Sequence, residues 1–157
     1  MFHRLRPLLL LGIGCGVGCA SSGVVPAALT GAPRPGAPMP SDASPVAVVH
    51  RGGDLCSHSV RRGGVEYNFD VACGASTILY VQTLDRAFRS PEGLSIGEPL
   101  RKALAIPGSI MLKDQGCGVL LPSGWVAHSN QERQPPCNGL LETPIIYFDS
   151  RAGDGGA

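Results

Sequence analysis

Along the chain, the cleanest alternation of apolar and polar residues is Val65-Glu66-Tyr67-Asn68-Phe69-Asp70-Val71. Val65, Tyr67, Phe69 and Val71 fall on one side and Glu66, Asn68 and Asp70 on the other, the period-2 signature of a half-buried strand. A turn over 72–76 with Gly74 leads into Thr77-Ile78-Leu79-Tyr80-Val81-Gln82-Thr83-Leu84, and the two segments predict an antiparallel hairpin. Before them, Pro45 to Val49 reads as a short strand, and Arg51-Gly52-Gly53-Asp54 and Arg61-Arg62-Gly63-Gly64 bracket what reads as a polar loop. Glu98 to Ala105 predicts a two-turn helix: Pro99 suits its first turn, Leu100, Ala103 and Leu104 share a face, and Pro107-Gly108 ends it. So short a helix is stable only when docked on a sheet. Ser109 to Leu112, a second hairpin of Val119 to Leu121 and Trp125 to Ala127 around Pro122-Ser123-Gly124, and Ile145 to Phe148 complete the strands. The expected fold is α+β: a mostly antiparallel sheet with one short helix packed on it, in one domain over residues 46–150.

The pattern changes at both ends. Residues 1–18 carry Arg4 and Arg6 with no acid, then an apolar stretch of Leu, Gly, Ile and Val that is too short to span a bilayer, as in a signal peptide. Residues 19–45 are rich in Ala, Gly, Pro and Ser. They are expected to form a disordered tether, because they cannot bury enough apolar surface to offset ordering. Residues 151–157 read as a disordered tail. Without Arg4 and Arg6 the exported chain holds 11 basic against 12 acidic residues. A chain so close to neutral lacks the basic field that nucleic acid requires.

Six cysteines fall into two groups. Cys15 and Cys19 lie at the N-terminus, and the run Gly16-Val17-Gly18-Cys19-Ala20-Ser21-Ser22-Gly23 resembles the lipobox of bacterial lipoproteins. The resemblance implies cleavage before Cys19 and fatty acyl chains such as palmitate on it, with Cys15 as the competing site. Gly16 stands where the lipobox has Leu. An ordinary secretory signal cleaved near Ala20 or Ala28 is the other reading. Two or more acyl chains hold a protein stably on a membrane, and Ala20 after the cysteine points, by the enterobacterial sorting rule, to the outer membrane. Cys56, Cys73, Cys117 and Cys137 lie in the domain, an even number in an exported chain and therefore a disulfide framework. The preferred pairs are Cys56–Cys73 and Cys117–Cys137, each closing a modest loop around one hairpin. The alternative is zinc held by four of Cys56, His58, Cys73, Cys117, His128 and Cys137, although the close Cys pairs of structural zinc sites are missing.

The stretch Leu79 to Leu104 resembles small bacterial lipoproteins of unknown function that carry an F-R-[ST]-x-x-G-[IL]-x-[IV]-G turn before a short helix. The matching residues are Phe88, Arg89, Ser90, Gly93, Leu94, Ile96 and Gly97. A more distant likeness is to outer-membrane-assembly lipoproteins of the SmpA/BamE type. The resemblance implies an envelope protein of similar architecture and brings no catalytic residue with it. Physically, Gly93 and Gly97 are expected to take positive φ or allow close backbone approach, with Leu94 and Ile96 anchoring the turn to the core.

No catalytic, cofactor or metal site is expected. His50, His58 and His128 can be combined with Asp54, Asp70 or Asp114 and with Ser57, Ser76 or Ser123 into a triad, but neither a Gly-x-Ser-x-Gly elbow nor a Walker loop is present. The histidines read as surface loop residues. The expected function is a non-enzymatic binding or assembly module of the cell envelope, with Trp125, Ile145 and Tyr147 as candidate interaction residues through strand addition at Ile145 to Phe148 or at the Trp125 hairpin. A secreted inhibitor or ligand-binding domain and a small hydrolase with a histidine-based site are the alternatives.

Overall fold

A computed structural model describes residues 31–46, 54–113, 117–129 and 137–153. The predicted signal peptide with Cys15, the expected lipidation site Cys19 and residues 154–157 of the tail lie outside them. Eight strands form one antiparallel sheet: β1 Ser44–Pro45, β2 Leu55–Arg62, β3 Val65–Ala72, β4 Ile78–Thr83, β5 Ile110–Leu112, β6 Gly118–Leu120, β7 Val126–His128 and β8 Tyr147–Arg151. Their spatial order is β1-β2-β3-β4-β8-β7-β6-β5, with β1 and β5 as the edges. The sole α-helix among the described residues, α1 (Leu100–Leu104), is five residues long.

The fold is therefore largely β, and the α+β expectation is corrected. Two features account for the difference. The helix is shorter than Glu98 to Ala105, because Pro99 remains extended as its N-cap and Ala105 already ends it. And 55–62, read as a polar loop, is an eight-residue strand paired with β3 along its whole length. Its inward positions are Cys56, His58 and Val60, the partners of Val71, Phe69 and Tyr67. Two of those three are not ordinary apolar residues, so the alternation is hidden in the sequence. The imidazole of His58 stacks on Phe69 at 5.7 Å. Gly63 and Gly64, both at positive φ, close the β2–β3 hairpin in two residues, as a type I′ turn requires.

The expected β3–β4 and β6–β7 hairpins are present, and so is β5. Of the strand expected over 45–49, residues 45–46 are described, and Pro45 ends β1, which pairs Ser44 with Ser59 and Pro45 with His58. Residues 31–45, assigned in the sequence to the tether, lie against the domain. Gly36 N–H donates to the Ile78 carbonyl at 2.8 Å, Met39 N–H to Ser76 at 2.6 Å, and Ile78 N–H to Ala37 at 2.9 Å. Ala32, Met39 and Ala43 pack on the core. The domain thus starts well before residue 46, and Arg151, assigned to the tail, is the last residue of β8.

The core lies on the inner face of the sheet. Tyr67 from β3, Phe88 from the turn before α1, Trp125 from the β6–β7 hairpin and Phe148 from β8 form an aromatic cluster. Phe88 is central to it, with ring centroids 4.9 Å from both Trp125 and Phe148 and 6.2 Å from Tyr67. Burial, then the charge of Asp85, pushes the Tyr67 phenol up to about 12. Leu100 and Ala103 of α1 are fully buried there, whereas Leu104, expected on the same face, is exposed. The helix endures because the 141–145 segment caps it: Leu100 N–H donates to the Thr143 carbonyl at 3.0 Å and Arg101 N–H to Leu141 at 2.8 Å.

The turn that carries the lipoprotein resemblance behaves as its glycines predict. Gly93 and Gly97 have φ of 88° and 94°. Leu94 is buried and Ile96 packs on the core. Gly97 N–H donates to the Ile145 carbonyl at 2.8 Å, and Ile145 N–H returns a bond to Glu98 at 2.7 Å, which fastens the turn to the segment entering β8.

Candidate functional site

Both preferred disulfides form. Cys56 and Cys73 have Cα atoms 5.0 Å apart, and Cys117 and Cys137 5.3 Å apart. With all four sulfurs so committed, the thiolates of the zinc alternative are consumed. Each closed loop restricts the unfolded chain and stabilises the fold by about 3 kcal/mol. The first bridge ties the start of β2 to the end of the β2–β3 ladder. The second joins Cys117, next to Gly118 of β6, to a 3-10 turn at Cys137–Gly139. Cys117 is the one non-glycine among the described residues with positive φ, at 58°.

Two of the three candidate interaction residues are buried, and the third, Tyr147, is half-buried. Trp125 belongs to the aromatic core, Ile145 is fully buried, and Tyr147 stacks on His128 with ring centroids 4.4 Å apart. β8 is not an edge. It sits between β4 and β7 and is paired on both sides. Strand addition at Ile145 to Phe148 is therefore ruled out, for the physical reason that both of its backbone sides are already used.

Register brings a polar cluster together on the outer face instead. Tyr80, Gln82, Asp149, Arg151, Tyr147 and His128 are linked by the pairs Tyr80↔Arg151, Gln82↔Asp149 and His128↔Tyr147. His128, expected on the surface, is 4% exposed, and Asp149 is 2% exposed. The Asp149 carboxylate accepts from both sides: Oδ1 from His128 Nε2 at 3.1 Å and Oδ2 from the Tyr80 hydroxyl at 3.0 Å. The Arg151 guanidinium lies 3.9 Å from Oδ2 and covers the Tyr80 ring at 5.4 Å. Burial, followed by the neighbouring Asp149 charge, drives the Tyr80 phenol far above its ordinary value, so it remains a donor. The imidazole lies between Tyr147 and Gly118. A Cβ on Gly118 would come within 2.8 Å of His128 Cε1 and 2.6 Å of Val126 Cγ1, so a glycine is required for the ring to fit.

This arrangement clamps a histidine with its Nε2 proton directed at a carboxylate. Of the residues weighed for triads, Ser57 donates to Asp70 at 2.6 Å on the same face of the sheet, while His58 faces the core. His50 and Asp114 lie outside the described residues. No group of three or more His, Cys, Asp or Glu residues suited to a metal occurs among the described residues. Sequence reasoning missed Asp149 and Tyr80. The signal was there: Tyr147, Asp149 and Arg151 alternate with Phe148 and Ser150, but the strand was stopped at Phe148. Comparison with protein-family models, with curated proteins and with solved structures finds no match to this chain.

Proposed function

We propose that this chain is a lipid-anchored protein of the cell envelope, at the outer membrane where there are two membranes, and that it acts as a non-enzymatic binding module. The pair of closed disulfides carries the reading, since such bonds persist in oxidising, extracytoplasmic compartments. The basic and apolar N-terminus and the lipobox-like run at Cys19 support it. So does the turn at Phe88 to Gly97, through its likeness to small lipoproteins. In this reading the His128–Asp149–Tyr80 network is a scaffold that fixes the outer face of the sheet, and the module binds through that face rather than through β8.

Labelling of expressing cells with an alkyne palmitate analogue tests the anchor. The protein takes the label, Cys19→Ser abolishes it, and Cys15→Ser leaves it. The reverse pattern moves the anchor to Cys15, and no label in any variant overturns the lipoprotein reading. A hydrolase is the second reading, favoured by the buried His128–Asp149 hydrogen bond. A hydrolytic activity that is lost in His128→Gln with the fold intact would establish it.

A further inference from the structure

The path of the chain decides which end of the sheet meets the anchor. The described residues begin at Gly31, where a Cβ would lie 3.8 Å from Arg62 Cδ. Arg62 ends β2, and its guanidinium also donates to Asp42 at 2.8 Å. Between those two contacts the segment reaches Ser76 and Ile78 at the opposite end of the sheet and returns. Residues 31–42 therefore add nothing to the reach of the anchor. From position 19 to position 31 there are twelve residue steps, which span about 40 Å when fully extended. β2 is eight residues long, about 27 Å. With the far end of the sheet on the bilayer, Gly31 would stand that high above it, and most of the reach would be used in getting there. With the β2–β3 turn on the bilayer, almost none is used. Chain entropy favours the second arrangement.

The same end carries side chains that suit a lipid surface. Leu84 is 47% exposed just past β4. Its neighbours fasten it beside the β2–β3 hairpin: the Thr83 hydroxyl donates to the Glu66 carbonyl at 2.8 Å, and Glu66 N–H donates to the Asp85 carboxylate at 2.9 Å. Gly63, Gly64, Arg61 and Arg86 are exposed there too. The acids at this end are already engaged, Glu66 by Arg61, Asp42 by Arg62, and Asp85 by the N–H groups of Glu66 and Ala87. Arg86 has no ion-pair partner among the described residues. We propose that the β2–β3 turn and the turn at Leu84 to Ala87 form a membrane-facing end, which rests on the phospholipid surface that holds the anchor. Leu84 enters the interface and Arg86 meets lipid phosphates. One leucine and one unpaired arginine would hold a free domain only weakly, but a short link makes the contact intramolecular. The sheet then stands on its end, and its outer face and the Trp125 hairpin stay clear of lipid. This inference rests on the anchor at Cys19.

The test is tryptophan quenching of the full-length protein, reconstituted from detergent into vesicles of phosphatidylethanolamine and phosphatidylglycerol, with and without bromine high on the acyl chains. Leu84→Trp and Leu79→Trp put the probe at opposite ends of β4, at positions 47% and 41% exposed, over the common background of Trp125. Leu84→Trp should lose about a third or more of its added emission on brominated vesicles, the depth of an interfacial contact. Leu79→Trp should lose none. Ala87→Trp, exposed on the same turn, is the second probe and should follow Leu84→Trp. Equal quenching at the two ends, quenching at Leu79→Trp alone, or none at either end overturns the proposal. A protein that takes palmitate and shows no quenching at Leu84→Trp or Ala87→Trp keeps its anchor and loses this end. One that is quenched there without taking palmitate keeps the membrane-facing end and loses the anchor.

Discussion

The two halves of the sheet solve the same problem differently. On one side, β2, β3 and β4 are eight, eight and six residues long, with a buried inner face and a half-buried polar outer face. On the other, β5, β6 and β7 are three residues each. All three residues of β7 are buried, Ala127 toward the core and Val126 and His128 on the opposite face. Long strands gain enough from their ladders and one apolar face to leave the other open. Strands of three residues have little ladder to offer, and here β6 and β7 are enclosed on both faces and braced by a disulfide, whereas the edge strand β5 exposes Ile110. Enclosure makes polar groups expensive, and so the buried His128 of β7 is held in a hydrogen-bonded network with Asp149 of β8 and Tyr80 of β4, while Asn68 and Gln82 on the outer face of the long strands are only half-buried.

The contrast is sharpest in its two aspartates. Asp149→Ala leaves the buried His128 Nε2 and the Tyr80 hydroxyl without an acceptor and should cost about 3 kcal/mol or more in guanidinium unfolding. Asp70→Ala, on the open half, releases only Ser57 and should cost about 1 kcal/mol. Equal losses would show that the two regions are not differently enclosed. Gly118→Ala follows, at about 1–3 kcal/mol, because the new Cβ must displace His128 and Val126. Gly97→Ala meets no neighbour within 4 Å and suffers only from its φ, about 1 kcal/mol. A Gly118 effect no larger than that of Gly97 would mean that the short half is loosely packed.

The remaining two outcomes concern accessibility. Cys73 is exposed, whereas Cys117 and Cys137 are both buried. Brief mild reduction followed by alkylation and mass mapping should open Cys56–Cys73 first, and simultaneous opening would contradict the enclosure of the short half. Alkali probes the phenols. Both Tyr67 and Tyr80 have folded pKa values raised above the ordinary 10. Their contribution to stability is complete below that value and is lost as pH rises past it, when the unfolded chain ionises first. Denaturant midpoints should hold up to about pH 10 and fall above it, and Tyr80→Phe should flatten part of that fall.

Much of the long half was legible in the sequence. The alternation of β3, the β3–β4 turn and the two cysteine pairs are local signals, and the structure follows them. β2 was not legible, because His58 and Cys56 occupy inward positions where a pattern search looks for valine. The polar cluster was still less so. Asp149 and Tyr80 are 69 residues apart, and nothing in either neighbourhood indicates that β8 inserts between β4 and β7. Topology of that kind is decided by which faces can be buried together, and a chain read one window at a time does not contain it.

The place of β8 also sets an order of events. Until Tyr147 to Arg151 is available, β4 lacks one neighbour and β7 lacks another, and the aromatic cluster lacks Phe148. The two halves are then separate hairpins with no shared centre, and the pairing that unites them spans much of the chain, which slows folding. A chain emerging from its N-terminus therefore cannot close this domain before its late strand is available. Until then the sheet stays in two parts, as an arch stays open until its keystone is set.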